Sequence, residues 1–128
     1  MMKLYSSPFS ELVYMKERQL LLASWSERSK ELGEDEVKSE INKIIDYVRQ
    51  YQIKNIIVDT RNYFFKDNVR IQNWINYKYV PELMDSGVIK YAMVVSSDIE
   101  RQPGDEKMEE ILPVVEYFSS VEEALQWI

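Results

Sequence analysis

Residues 54–65 read KNIIVDTRNYFF, and the first six of them decide the fold. Ile56, Ile57 and Val58 are consecutive β-branched apolar residues, so a strand running from Lys54 to Asp59 sends apolar side chains to both of its faces. A strand that is apolar on both sides belongs inside a mostly parallel sheet covered by helices. The run stops at Asp59-Thr60-Arg61 and restarts as Tyr63-Phe64-Phe65. An acid, a hydroxyl and a guanidinium at the carboxyl end of an inner strand stand where open α/β sheets place their ligand crevices, so the same stretch is also the first candidate site.

Working outward, EVKSEINKIIDYVRQYQ carries Val37, Ile41, Ile44, Ile45 and Val48 at helical spacing, with Asp35 expected to cap the start. Further upstream, residues 12–16 (LVYMK) and 19–25 (QLLLASW) flank Glu17-Arg18 and predict an antiparallel hairpin. Downstream, a helix is expected from Asp67-Asn68, with Ile71, Trp74, Ile75, Leu83 and Met84 inward. Pro81 removes a backbone donor and predicts a kink or restart, and Gly87 fits a left-handed cap. VIKYAMVVSS (88–97) is the most apolar strand. Pro103-Gly104 marks a loop, KMEEIL a short helix closed by Pro113, and VVEYF (114–118) a third inner strand. Ser120 to Glu123 matches a capping box before a stripe of Val121, Ala124, Leu125 and Ile128. The expected order is ββαβαβαβα: one α/β domain over residues 1–128, with a mixed, mostly parallel sheet that begins in an N-terminal hairpin. Ile57, Val58, Ala92, Val94 and Leu125 are expected in its core.

Composition removes several function classes. With 22 acidic against 16 basic residues the net charge is −6, which repels nucleic-acid phosphates and anionic lipid surfaces, so no nucleic-acid partner is expected. The chain has no Cys and no His, which excludes disulfides, imidazole general bases and ordinary zinc sites, and no cofactor is expected. Pro8, Ser10 and Glu11 interrupt the amino-terminal MMKLYSSPFSELVYMKERQ, and no later segment has the length of an apolar membrane span. The expectation is a cytoplasmic protein, monomer or homodimer, without an integral membrane segment.

Three groups of residues qualify as site candidates. Asp59, Thr60 and Arg61 form the strand end; Asp59 reads either as the acceptor that shapes the turn or as part of a binding surface, and a nucleophile with an adjacent base is missing beside it. Tyr63, Phe64 and Phe65 follow, and three consecutive rings on an irregular loop cannot all enter one core, so at least one is expected at the surface. Ser96, Ser97 and Asp98 end the neighbouring strand and would complete a polar mouth beside Asp59. The acids Glu100, Asp105, Glu106, Glu109 and Glu110 lack the alternation of a calcium loop and read as a solvated face. Trp25, Trp74 and Trp127 occupy apolar positions and read as anchors at the core or its edge.

The succession of a hairpin, a helix, a strand ending VDTRN, a helix with WI then P-E-L-x-x-x-G-V, a strand YAMVVSSD and a final YFSSVEEALQWI resembles the SpoIIAA-like group of STAS-type domains over nearly the whole chain after residue 10. That resemblance implies a non-catalytic binding or regulatory domain that engages a protein partner. It also implies a runner-up, since the group is similar in fold to lipid-binding CRAL-TRIO domains: a carrier or sensor of a small apolar or lipid-like ligand. A small enzyme ranks third. In the antagonist branch an Asp-Ser pair opens the helix after the strand, with Ser phosphorylated. The matching pair here is Asp67-Asn68, and Asn68 has no hydroxyl to modify but can cap a helix.

Overall fold

The structure, a computed structural model, describes residues 1–96 and 115–128. The expected helix KMEEIL, the Pro103-Gly104 loop, Ser97, Asp98 and the acidic run from Glu100 to Glu110 lie outside the described residues. The described residues form an α/β domain on one six-stranded sheet with strand order 1-2-3-4-5-6. Strands β1 (Met2–Ser6), β2 (Ser10–Met15) and β3 (Leu20–Trp25) make an antiparallel meander. Strands β4 (Asn55–Asp59), β5 (Lys90–Val94) and β6 (Val115–Phe118) then run parallel to β3. The sheet thus has one more strand than expected. MKLYS buries none of its five residues, so its identity depends on pairing with β2 and not on a pattern of its own.

The expected turn at Glu17-Arg18 is a 3-10 turn, Lys16–Arg18, closed by Gln19 in the left-handed region. Helix α1 spans Glu34–Tyr51 and starts at Gly33, not at Asp35. Gly33 N–H is taken by the Glu36 carboxylate at 2.9 Å, so Asp35 is left in the first turn, where its charge suits the helix dipole. The next helix is one rod of three pieces: α2 (Val69–Trp74), a π-helical stretch Ile75–Tyr79, and α3 (Val80–Asp85). Pro81 has no N–H for the carbonyl four residues back, and the wider π turn directly before it absorbs the break. Gly87, at φ 93°, ends the rod, with Gly87 N–H bonded to Met84 O and Val88 N–H to Leu83 O. Helix α4 (Val121–Trp127) is capped by the Ser120 hydroxyl, which accepts from Glu123 N–H. The reciprocal half of the box is not made, because the Glu123 carboxylate accepts from Ser119 Oγ instead.

Alternation along the strands divides the core in two. Leu21, Ala23, Ile56, Val58, Tyr91 and Met93 meet α1 and the α2–α3 rod on one face. Leu20, Ile57, Ala92 and Val94 meet α4 on the other. Ile56 and Ile57 are both fully buried, one on each side, and each contributes about 1.5–3 kcal/mol. Leu125, expected in the core, stays half-buried at the margin of the second cluster. Met84, expected inward, is 39% exposed, because Tyr79, Val80 and Leu83 occupy the buried face of the rod after its π-helical stretch. Trp25 is buried, while Trp74 and Trp127 pack at core edges. Among the described residues no helix is long and apolar enough to cross a membrane.

Candidate functional site

Parallel pairing of β4 with β5 sets the site, because it places Asp59 opposite Val94 and brings both strand ends to one edge of the sheet. Asp59 continues the face of Ile57, the face that α4 covers, and its other neighbour across the sheet is Ser24 of β3. The Asp59 carboxylate is taken up by Arg61. Arg61 Nε donates to Oδ1 at 3.0 Å, Nη2 to Oδ2 at 2.7 Å, and the Arg61 backbone N–H also reaches Oδ1 at 3.1 Å. This planar fork on a carboxylate two residues away closes the strand end into a tight turn. The Asp59 hydrogen bonds raise the Arg61 guanidinium pKa, and the charge of Glu122 on α4 adds to them. Thr60 fastens the turn to the neighbouring strand, since its N–H and Oγ1 both donate to Val94 O at 2.9 Å. Val95 N–H in turn donates to Phe118 O, so the ends of three parallel strands are tied side by side, with Ser96 next along the chain.

The three aromatics separate. Tyr63 packs inward with its ring centroid 4.7 Å from that of Trp25 and 6.1 Å from that of Phe65. Phe65 is buried at 8% exposure, whereas Phe64 between them is 45% exposed. Burial pushes the Tyr63 hydroxyl well above its usual range, reinforced by the charge and hydrogen bond of Asp67, so Tyr63 is a fixed donor to Asp67 Oδ1 at 3.3 Å. The backbone on either side of Tyr63 is held from below by Ser29, a fully buried residue of the 3-10 helix Glu27–Glu31. Its hydroxyl donates to Asn62 O at 3.1 Å and accepts from Phe64 N–H at 2.8 Å. Ser29 sits between charged neighbours in ERSKE, which gives it no sequence signal as a buried clip.

Asn68 caps α2, its Oδ1 accepting from Ile71 N–H at 3.0 Å. Its amide donates to Glu34 Oε1 at 3.0 Å, and Arg70 meets the same carboxylate, so the start of α2 is fastened to the start of α1. Of the residues singled out in the sequence, Asp59, Thr60, Arg61, Tyr63, Phe64, Phe65 and Asn68 therefore lie on one braced connection. Ser96 follows the adjoining strand end. Among the described residues no three acidic side chains gather into a metal-holding group.

A second polar centre went unread in the sequence. Glu40, on the inner face of α1, is only 8% exposed and collects three hydroxyl donors from the amino-terminal hairpin. Tyr5 OH reaches Oε2 at 2.5 Å, Ser10 Oγ reaches Oε1 at 3.1 Å, and Ser7 Oγ also donates to Oε1. The available signal was a charge inside an apolar stripe, between Val37, Ile41 and Ile44. No protein-family model, curated protein or solved structure matches the chain.

Proposed function

We propose that the domain is a non-catalytic, SpoIIAA-like binding or regulatory module that engages a protein partner through the braced connection after β4. The observation that carries this reading is Phe64. It stands 45% exposed between two rings that face inward, on backbone pinned by Ser29. An exposed aromatic on a preformed loop loses little conformational entropy on docking, which is what a recognition anchor needs. Arg61 is 42% exposed beyond its pair with Asp59, and Val69 is 73% exposed at the start of α2, so a charged and an apolar side chain stand along the same connection. Support for a non-catalytic part for Asp59 comes from its geometry, because three hydrogen bonds from Arg61 occupy both carboxylate oxygens. The lipid-like alternative draws no support at this place, where Tyr63, Phe65 and Trp25 pack on one another under the loop.

The test is a photo-crosslinking phenylalanine analogue at position 64 of the full chain, with adducts identified from cells that make the protein. One dominant protein adduct, lost when Arg61→Ala is added while the chain stays folded at the assay temperature, is the expected result. A native mass spectrum of gently purified protein that carries a lipid-sized mass increment would favour the carrier instead. Turnover of an ester, phosphate or glycoside that disappears in Asp59→Asn would defeat the binding-module reading.

A further inference from the structure

Strand β1 is attached differently from the strands beside it. None of its five residues is fully buried, with only Leu4 and Tyr5 half-buried against the core, whereas β2 buries three of six. Its register with β2 shifts between Lys3 and Tyr5, which interrupts the ladder. Hydrogen bonds from side chains supply much of the hold. Tyr5 OH and Ser7 Oγ donate to Glu40, and Tyr47 OH donates to Leu4 O at 2.9 Å. Burial, and after it the hydrogen bond to Glu40, raise the Tyr5 pKa, so the phenol keeps the proton it donates. The receiving side belongs to the rest of the fold: Glu40, Lys43 and Tyr47 on α1, and the edge of β2 that β1 covers, with Ser10 also bonded to Glu40. Lys43 Nζ lies 5.6 Å above the Tyr5 ring and completes a cradle of one carboxylate, one ammonium and one phenol around that side chain.

We propose that β1 is an exchangeable strap: the groove between the β2 edge and Glu40 takes the same strand of a second copy of this chain in place of its own. Three features support the exchange. A strand with no fully buried residue, whose apolar hold is limited to the half-buried Leu4 and Tyr5, exchanges at small net cost, because the incoming copy remakes the hydrogen bonds to Glu40 that departure breaks. Glu40 keeps Ser10 throughout and so is never left without a donor. The occupant is specified by the groove, since a Tyr facing Oε2 and a Ser facing Oε1 at the β1 spacing are supplied by Tyr5 and Ser7 of another copy, which reproduces both contacts to Glu40.

The test uses full-length chain and a labelled peptide with the sequence of residues 1–7, MMKLYSS. The double substitution Tyr5→Phe plus Ser7→Ala weakens the chain's own strap and leaves the Glu40 cradle intact. Because hydrogen bonds to a charged group are strong, the double variant is expected to bind the peptide on the order of tenfold or more tightly than the wild type. Adding Glu40→Gln to the double variant should cancel that gain. Amide exchange should show residues 2–6 opening faster in the double variant while the amides of β3 to β5 keep their protection, which separates strap release from general unfolding. Native mass spectra of wild type mixed with the double variant should contain the heterodimer. Equal peptide binding by wild type and double variant overturns the strap, as does binding indifferent to Glu40→Gln or β1 amides as protected as those of β3. Peptide capture without any heterodimer overturns the second copy as its occupant.

Discussion

Replacing Ser29 by Ala removes one oxygen and two hydrogen bonds, and its consequences reach the proposed recognition surface. Ser29 is fully buried, and its Oγ accepts from Phe64 N–H at 2.8 Å while donating to Asn62 O at 3.1 Å. The backbone of the 3-10 helix has no reason to change, since Ser29 N–H and C=O keep their bonds to Ser26 O and Leu32 N–H. An amide left without its partner costs about 1–3 kcal/mol, while Asn62 O, on an exposed residue, regains water at little cost. The expected loss is therefore about 2 kcal/mol, which for a domain of this size lowers the melting temperature by roughly 6–10 °C. A urea titration should show the midpoint falling with the slope unchanged, as expected when a native contact is lost and the denatured state is not altered. The Phe64 amide should exchange faster by a larger factor than the amides of β4. Because a loosened Phe64 must be ordered again on docking, at about 0.5–1.5 kcal/mol, affinity for the crosslinked partner should drop roughly 2- to 13-fold. If Ser29→Ala melts within about 1 °C of the parent and the Phe64 amide keeps its protection, the loop is held by its rings alone and the preformed anchor is refuted.

The strand-end pair can be tested by a double-mutant cycle of Asp59→Asn and Arg61→Ala: the fork geometry on a half-exposed guanidinium predicts a coupling of about 0.5–1 kcal/mol, and strict additivity would show that the two do not depend on each other. Asn68→Ala removes the α2 cap and should cost about 1 kcal/mol in chemical denaturation, whereas no change would remove Asn68 from the fastening of α2 to α1. Val94→Asp buries an acid at a fully buried position of β5 and should cost several kcal/mol, enough to unfold many domains; a parent-like melt would contradict the buried central strand. Hydrogen bonding to Arg70 holds the Glu34 carboxyl below its ordinary value of 4.5, so the stability it adds is present above that pH and is lost as the pH falls through the lowered folded-state value. The difference in urea midpoint between the parent and Arg70→Ala at neutral pH should accordingly close in the acid range below 4.5; a difference that persists there would place the effect of Arg70 outside its pair with Glu34.

Local patterns carried the parts of the fold whose information is contained in a short window. Ile56-Ile57-Val58 must face two ways in any strand, and the structure covers both sides. The α1 stripe, the Gly87 cap and the Ser120 cap are each made by residues within a turn of the place they act. Asn68 as a cap is local for the same reason. Among the three aromatics, the impossibility of burying all of them was legible, but which one remains outside was not: Phe64 is exposed because Trp25 stacks on Tyr63 and Ser29 holds the Phe64 amide, and both lie more than thirty residues upstream.

What the sequence by itself determined, then, is the order of the described elements from β2 onward, the two-sided character of the inner strands and the presence of a polar strand end followed by an aromatic loop. Tertiary structure alone decided which groups that polar end would bond. Arg61 had Asp59, Asp98 or a partner's carboxylate open to it, and the tight turn imposed by Thr60 on Val94 O brings it onto Asp59. It also made a strand of MKLYS, because an edge strand with no fully buried residue exists through its neighbour's ladder. And it turned Glu40, one acid among 22, into a buried centre, since a charge can leave water only where donors from elsewhere meet it, and those donors arrive from residues thirty or more positions away.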